Sequence, residues 1–153
     1  MDLSSILKPD AVKVISDASS KKRLFQRLSD TAGSAYGLNA DAALDALLER
    51  ESLGPTGVGH GIALPHARLA DADEVHGVFF RLERPIDFNA VDRQPVDLVF
   101  ALFAPENSGV DHLKALALIS RTMRNAAICE KLRANDDTTT LHTVLTEGQS
   151  QAA

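Results

Sequence analysis

The sequence has a single cysteine, Cys129, so no internal disulfide can form. Its longest unbroken apolar run, Leu98 to Ala104, is seven residues long and ends at Pro105, whereas a membrane helix needs about 20. No spanning segment and no membrane insertion are predicted. The start, Met1-Asp2-Leu3-Ser4-Ser5, lacks the basic and apolar parts of a secretory signal, and a cytoplasmic location is expected. Cations are in the minority: 16 Lys and Arg face 21 Asp and Glu, and the net charge of -5 argues against nucleic acid as a partner. Two phosphate-cradling patterns are also missing. After Gly57 and Gly59 the dinucleotide fingerprint requires glycine where Ile62 stands, and after Gly54 and Gly59 the P-loop requires lysine where His60 stands. No serine lies between glycines two residues away on either side, which removes the nucleophile elbow of hydrolases.

What is present suits one folded domain spanning 1–153. A chain of 153 residues, 44% hydrophobic and 24% charged, has the composition of a globular protein. At that length it buries roughly 70% of the surface its unfolded chain exposes. Val12, Val14 and Ile15 indicate a first strand. Ser19 or Ser20 caps a helix with Leu24, Leu28 and Ala35 as its buried stripe and Phe25 beside it, although Lys21 and Lys22 oppose the dipole in the first turn. Asn39 or Asp41 caps a second helix carrying Ala43, Leu44, Leu47 and Leu48, which ends at Arg50-Glu51 before Gly54.

Gly54 to Gly61 reads as a loop, followed by a short strand, Ile62-Ala63-Leu64, stopped at Pro65. Two further strands are predicted, Val75 to Leu82 and Val96 to Phe103, the latter apolar enough to be covered on both faces. Helical patterns follow: Leu113, Leu116, Ile119 and Met123, then Ala126 to Arg133, then Asp137 to Thr146, with a loose tail from Gln149 to Ala153. The order implies an α/β fold, a three-layer α/β/α sandwich with a small mixed sheet between helices.

Histidine is the informative residue type. His66 follows a glycine-rich loop and a proline stop, a placement at a strand end that other molecules can approach closely. His112 lies at the start of a helical run, where the positive end of the dipole keeps the ring neutral and suited to donate a hydrogen bond. His76 and His142 are assigned no role, and His60 reads as a solvated loop residue. Arg50 is by default a favourable cation at a helix end, yet it precedes the loop and is able to turn toward an anion. Cys129 reads as buried in an apolar helix face. The rival use of His60, His66 and His112 is as metal ligands in an interaction protein. His60-x5-His66 is not a usual zinc spacing and no His-Glu-x-x-His occurs, so no metal and no cofactor are predicted.

The run from Arg50 through Thr56-Gly57-Val58-Gly59-His60-Gly61-Ile62-Ala63-Leu64-Pro65-His66-Ala67-Arg68 resembles the phosphorylation region of the fructose/mannitol-type enzyme IIA family of the bacterial phosphotransferase system, and its nitrogen-regulatory branch most of all. Gly77-Val78-Phe79, Pro85-Ile86-Asp87-Phe88, Gln94 to Phe100 and Asp111-His112-Leu113 extend the resemblance in the same order. It departs from the family at Pro55, where serine is usual, at His60, where asparagine is usual, and at Ala67, where glycine is usual.

The resemblance implies that His66 is the phosphorylated residue, reacting through Nε2, with His112 the second active-site histidine and Arg50 the active-site arginine. Thr56, Gly57, Gly59 and Gly61 would then line the phosphoryl-binding loop. It also implies an HPr-like phosphocarrier as donor, and an output through regulatory targets such as potassium transport or a sensor kinase. A sugar-transport IIA that donates to a separate IIB is the alternative within the family. The chemistry is consistent: a neutral imidazole already has an in-plane lone pair and needs no general base, and a loose phosphoryl transition state leaves the protein to position groups and stabilise charge.

Overall fold

In the computed structural model, which describes the backbone of residues 1–152 and the side chains of residues 1–148, the chain begins with a short helix α1 (Leu3–Ile6) and a single 3₁₀ turn (Pro9–Ala11). Then come β1 (Val12–Ile15), α2 (Lys21–Tyr36) and α3 (Ala40–Ser52). Five strands follow: β2 (Gly57–Gly59), β3 (Ile62–Ala63), β4 (His66–Leu69), β5 (His76–Ile86) and β6 (Val96–Pro105). Three helices close the order, α4 (Gly109–Arg124), α5 (Ala126–Arg133) and α6 (Thr138–Ala152).

Local chemistry explains most boundaries. Of the two candidates before α2, Ser20 is the cap, its hydroxyl accepting the Arg23 N–H, while Asn39 caps α3 by accepting from Ala42. Lys21 escapes the unfavourable dipole by pairing with Glu51 of α3 at 2.9 Å and lying over the Phe88 ring. The last helix reaches Ala152, past the tail expected from Gln149, and Ala153 lies outside the described residues.

The sheet is mixed, as the sequence implies. Its order is β1-β5-β6-β3-β2, with β4 also on β6; β5 and β6 are antiparallel, and β1 joins β5 in parallel. Helices α2 and α3 pack on each other and on β5 and β4, while α4, α5 and α6 form a second group that packs on β6 and β1. The sheet lies between them. Leu98 through Ala104 are all at 0% exposure, which in a strand of alternating side chains requires cover on both faces.

Three expectations are corrected here. The Gly54–Gly61 loop is in part a hairpin: β2 pairs antiparallel with β3, and His60 and Gly61 form its two-residue turn with φ of 57° and 78°. Pro65 does not end the strand for good. It removes one ladder donor, but its carbonyl still accepts the Leu102 N–H at 2.9 Å, so the chain rejoins β6 as β4, with His66 opposite Leu102. Strand β5 continues beyond Leu82 through Glu83-Arg84-Pro85 to Ile86, with a register irregularity between Arg81 and Ile86.

Candidate active site

β4 presents His66 just after the break in the strand. The ring is half-buried, and its Nδ1 lies 2.9 Å from the Leu64 carbonyl oxygen. A carbonyl oxygen only accepts, so Nδ1 carries the proton and donates it. The lone pair of the neutral ring is therefore on Nε2, which has no partner among the described residues. Partial burial holds the His66 pKa below its ordinary value; the Leu64 bond opposes that shift, the Arg50 charge assists it and Glu51 opposes it. The neutral ring is thereby favoured.

α4 brings in His112, whose ring centroid is 5.6 Å from that of His66 at an interplanar angle of 70°. His112 is only 5% exposed. Its Nδ1 accepts from Arg68 Nε at 3.2 Å, so its proton sits on Nε2, and that buried nitrogen finds no hydrogen-bond partner in the described structure. An unpaired buried donor is costly for folding, and this one belongs to the ring that packs edge-on against His66. The His112 pKa falls to about 4, chiefly through burial and then through the charges of His66 and Arg68. The sequence assigns this neutrality to the helix dipole; burial is the larger cause.

Arg50, in the last turn of α3, donates from Nη1 to the Gly54 carbonyl at 3.1 Å and sends its charge toward His66. Glu51, which the sequence left without a role, holds the segment in place. Its carboxylate, 7% exposed, accepts from the Thr56 hydroxyl at 2.6 Å, the Thr56 amide at 3.0 Å and Lys21 at 2.9 Å. The Thr56 side chain is thereby committed to Glu51. The glycines have packing reasons of their own. A Cβ on Gly57 would meet Ala90 at 2.8 Å, and Gly61 occupies the hairpin turn against Arg133 and Asp97. Gly59 backs onto the Asp92 carboxylate, which accepts the His60 amide at 2.9 Å.

The other histidines lie apart from this arrangement. His76 stacks on Tyr36 with centroids 4.2 Å apart, and His142 is bonded through Nε2 to the Leu7 carbonyl oxygen, tying α6 to the start of the chain. Cys129 is buried and donates to the Met123 carbonyl. Among the described residues no group of three His, Cys, Asp or Glu side chains is placed to hold a metal ion, and no helix is long and apolar enough to cross a membrane. Arg68 is the residue that sequence reasoning missed. The signal for it was the spacing His66-x-Arg68, which puts both side chains on one face of a strand.

Comparison with known proteins identifies the family. The chain is 44% identical to a nitrogen regulatory protein of Bradyrhizobium diazoefficiens over 153 residues, all of both chains. It is 36% identical to a fructose-specific EIIA component of the phosphotransferase system from Haloferax volcanii, over 95% of this chain and 96% of that one. The crystal structure of nitrogen regulatory protein IIA-Ntr from Neisseria meningitidis superposes with a TM-score of 0.87 at 32% identity, covering 94% of this chain and 99% of the other. The family model for the phosphoenolpyruvate-dependent sugar phosphotransferase system, EIIA 2, matches residues 5–148, and the chain belongs to that family as a homologue of the nitrogen regulatory IIA proteins.

Proposed function

We propose that this protein is a phosphoryl-accepting regulator of a nitrogen-related phosphotransferase system, acting as one cytoplasmic domain, with His66 as the acceptor. The observation that supports it most is the opposed arrangement of two neutral imidazoles. His66 is fixed through Nδ1 on Leu64, which frees the Nε2 lone pair, while His112 is fixed through Nδ1 on Arg68, which gives its Nε2 a proton. The first attacks and the second donates.

In the transfer, a histidine-phosphorylated HPr-like carrier brings its phosphorus in line with His66 Nε2. The new N–P bond forms there as the carrier's N–P bond breaks, and the carrier imidazole leaves with the electron pair. No proton has to move. Fixed charge from Arg50 and the His112 Nε2–H stabilise the phosphoryl oxygens, while Thr56, braced by Glu51, holds the segment that leads from Arg50 toward the acceptor. A protein donor also suits the exposed apolar side chains on the helix ends that bear the site: Leu53 after Arg50, and Val110 and Leu113 around His112.

The phosphorylation state of His66 then sets which regulatory targets the protein binds. The second reading, a sugar-transport IIA, draws on the 36% identity to the fructose-specific relative. Incubating the phosphoprotein with fructose- and mannitol-type IIB domains separates the two, because a regulator retains its phosphoryl group. The acceptor itself is tested by intact mass after exposure to phosphorylated carrier. One added phosphoryl unit, removed by mild acid and absent from His66→Ala, is the expected result. Stoichiometric labelling of His66→Ala would overturn the assignment.

A further inference from the structure

Arg68 has no part in the family resemblance beyond its place in the sequence, yet it is joined to His112 across 44 residues of chain. It is exposed, stands two residues beyond His66 on the same face of β4, and spends its Nε–H on His112 Nδ1 at 3.2 Å. A guanidinium has five N–H donors and no acceptor. The contact can therefore exist only when His112 Nδ1 is unprotonated, and it selects the tautomer whose single proton lies on the buried, unpartnered Nε2. Packing and the edge contact with His66 restrict the ring's rotation, but no other hydrogen bond in the described structure fixes its tautomer, since the other nitrogen bonds to nothing.

We propose that Arg68 is a positioning residue of the phosphoryl site: its Nε–H holds His112 as the Nε2–H tautomer, the form able to donate to the group that His66 receives. This rests on His66 being the acceptor, and the experiment is arranged so that the two ideas fail separately. A lysine in the same place also offers only donors, so Arg68→Lys preserves the selection, whereas Arg68→Met removes it.

The first readout is the ¹⁵N spectrum of the histidine rings in the unphosphorylated protein. In the wild type, His112 should show a pyridine-type Nδ1 and a pyrrole-type Nε2. Arg68→Lys should keep that pattern, and Arg68→Met should populate the Nδ1–H form. The second readout is single-turnover phosphorylation at saturating carrier, which removes any effect of Arg68 on docking. There Arg68→Met should slow transfer about tenfold, as loss of an orienting partner does elsewhere, with the rate largely restored in Arg68→Lys. In a His112→Ala background the same substitution should change the rate less than about twofold, because a residue acting through His112 has nothing left to orient.

A pyrrole-type Nδ1 on His112 in the wild type, or equal slowing by Arg68→Met in both backgrounds, overturns the proposal. If the wild type takes no phosphoryl group at all, the acceptor reading fails, and the tautomer pattern still decides whether Arg68 fixes His112.

Discussion

The hairpin tip and the His66 site lie on one stretch of chain, Gly57 to Leu69, and both are polar arrangements at the same side of β6, yet they treat their hydrogen bonds in opposite ways. At the tip the charged side chains and the turn carbonyls are paired. Arg133 of α5 grips both Asp97 oxygens through Nε and donates from Nη2 to the His60 carbonyl at 2.7 Å, and the Gly61 carbonyl accepts the amides of Asp97 and Leu98. At His66 one ring nitrogen is spent on Leu64 and the other is bare, and the neighbouring His112 leaves a buried N–H with no partner. The tip is a latch. The site leaves hydrogen-bonding capacity unspent, as the proposed phosphoryl acceptor requires, at a cost in folding stability.

The largest effect that would break this contrast is on chemistry. His112→Ala removes one oriented donor, and single-turnover transfer from carrier should slow by on the order of 10²-fold, at most about 3 kcal/mol of barrier. An unchanged rate would remove His112 from the mechanism. Close behind is an effect of acid. The folded protein holds His112 near pKa 4, while the unfolded chain has about 6.5, so below pH 6.5 the unfolded state binds more protons and stability falls. The contribution is fully present above pH 6.5 and lost by pH 4, about 3 kcal/mol in all. Burial lowers the His66 pKa too, and its contribution has the same sign. Urea melts across that range should show the slope reduced in His112→Ala.

The latch should respond the other way, in stability with the chemistry intact. Gly61→Ala places a Cβ 2.6 Å from Arg133 Nη2 and 2.8 Å from Asp97 Oδ1 at a φ of 78°. The left-handed backbone alone costs roughly 1–2 kcal/mol, and a chemical melt should show about 2 kcal/mol lost, while labelling at saturating carrier stays at wild-type stoichiometry. Smallest is Asp97→Asn, which weakens a partly exposed pair with Arg133 and should cost under about 1 kcal/mol. A loss of labelling in either latch variant would mean that the two regions are not separable.

The same contrast explains what the sequence allowed to be read. Helices α2 to α6, the caps of α2 and α3 to within a pair of candidates each, and the fully covered strand β6 were legible because apolar period and capping chemistry are local, whereas the short α1 and the 3₁₀ turn were not read. His66 stood out through the glycines and proline before it. The hairpin did not, because its first turn position is filled by His60 rather than by the asparagine that advertises a left-handed turn, and β4 was hidden behind Pro65. Long-range partners were beyond reach. Nothing local to Arg68 announces a residue 44 positions away, and the Glu51 bracket on Thr56 and Lys21 appears only once α2 and α3 are packed together. The neutrality of His112 was anticipated with the wrong leading cause, since burial is a property of the packed fold and not of the first turn of a helix.

The most direct test is a ¹⁵N and ³¹P spectrum of the protein, labelled in its histidine rings, after phosphoryl transfer from the carrier. The account predicts one phosphorus bonded to Nε2 of His66, with His66 Nδ1 still protonated on the Leu64 carbonyl. A phosphorus on Nδ1 of that ring, or on any other histidine, would contradict it.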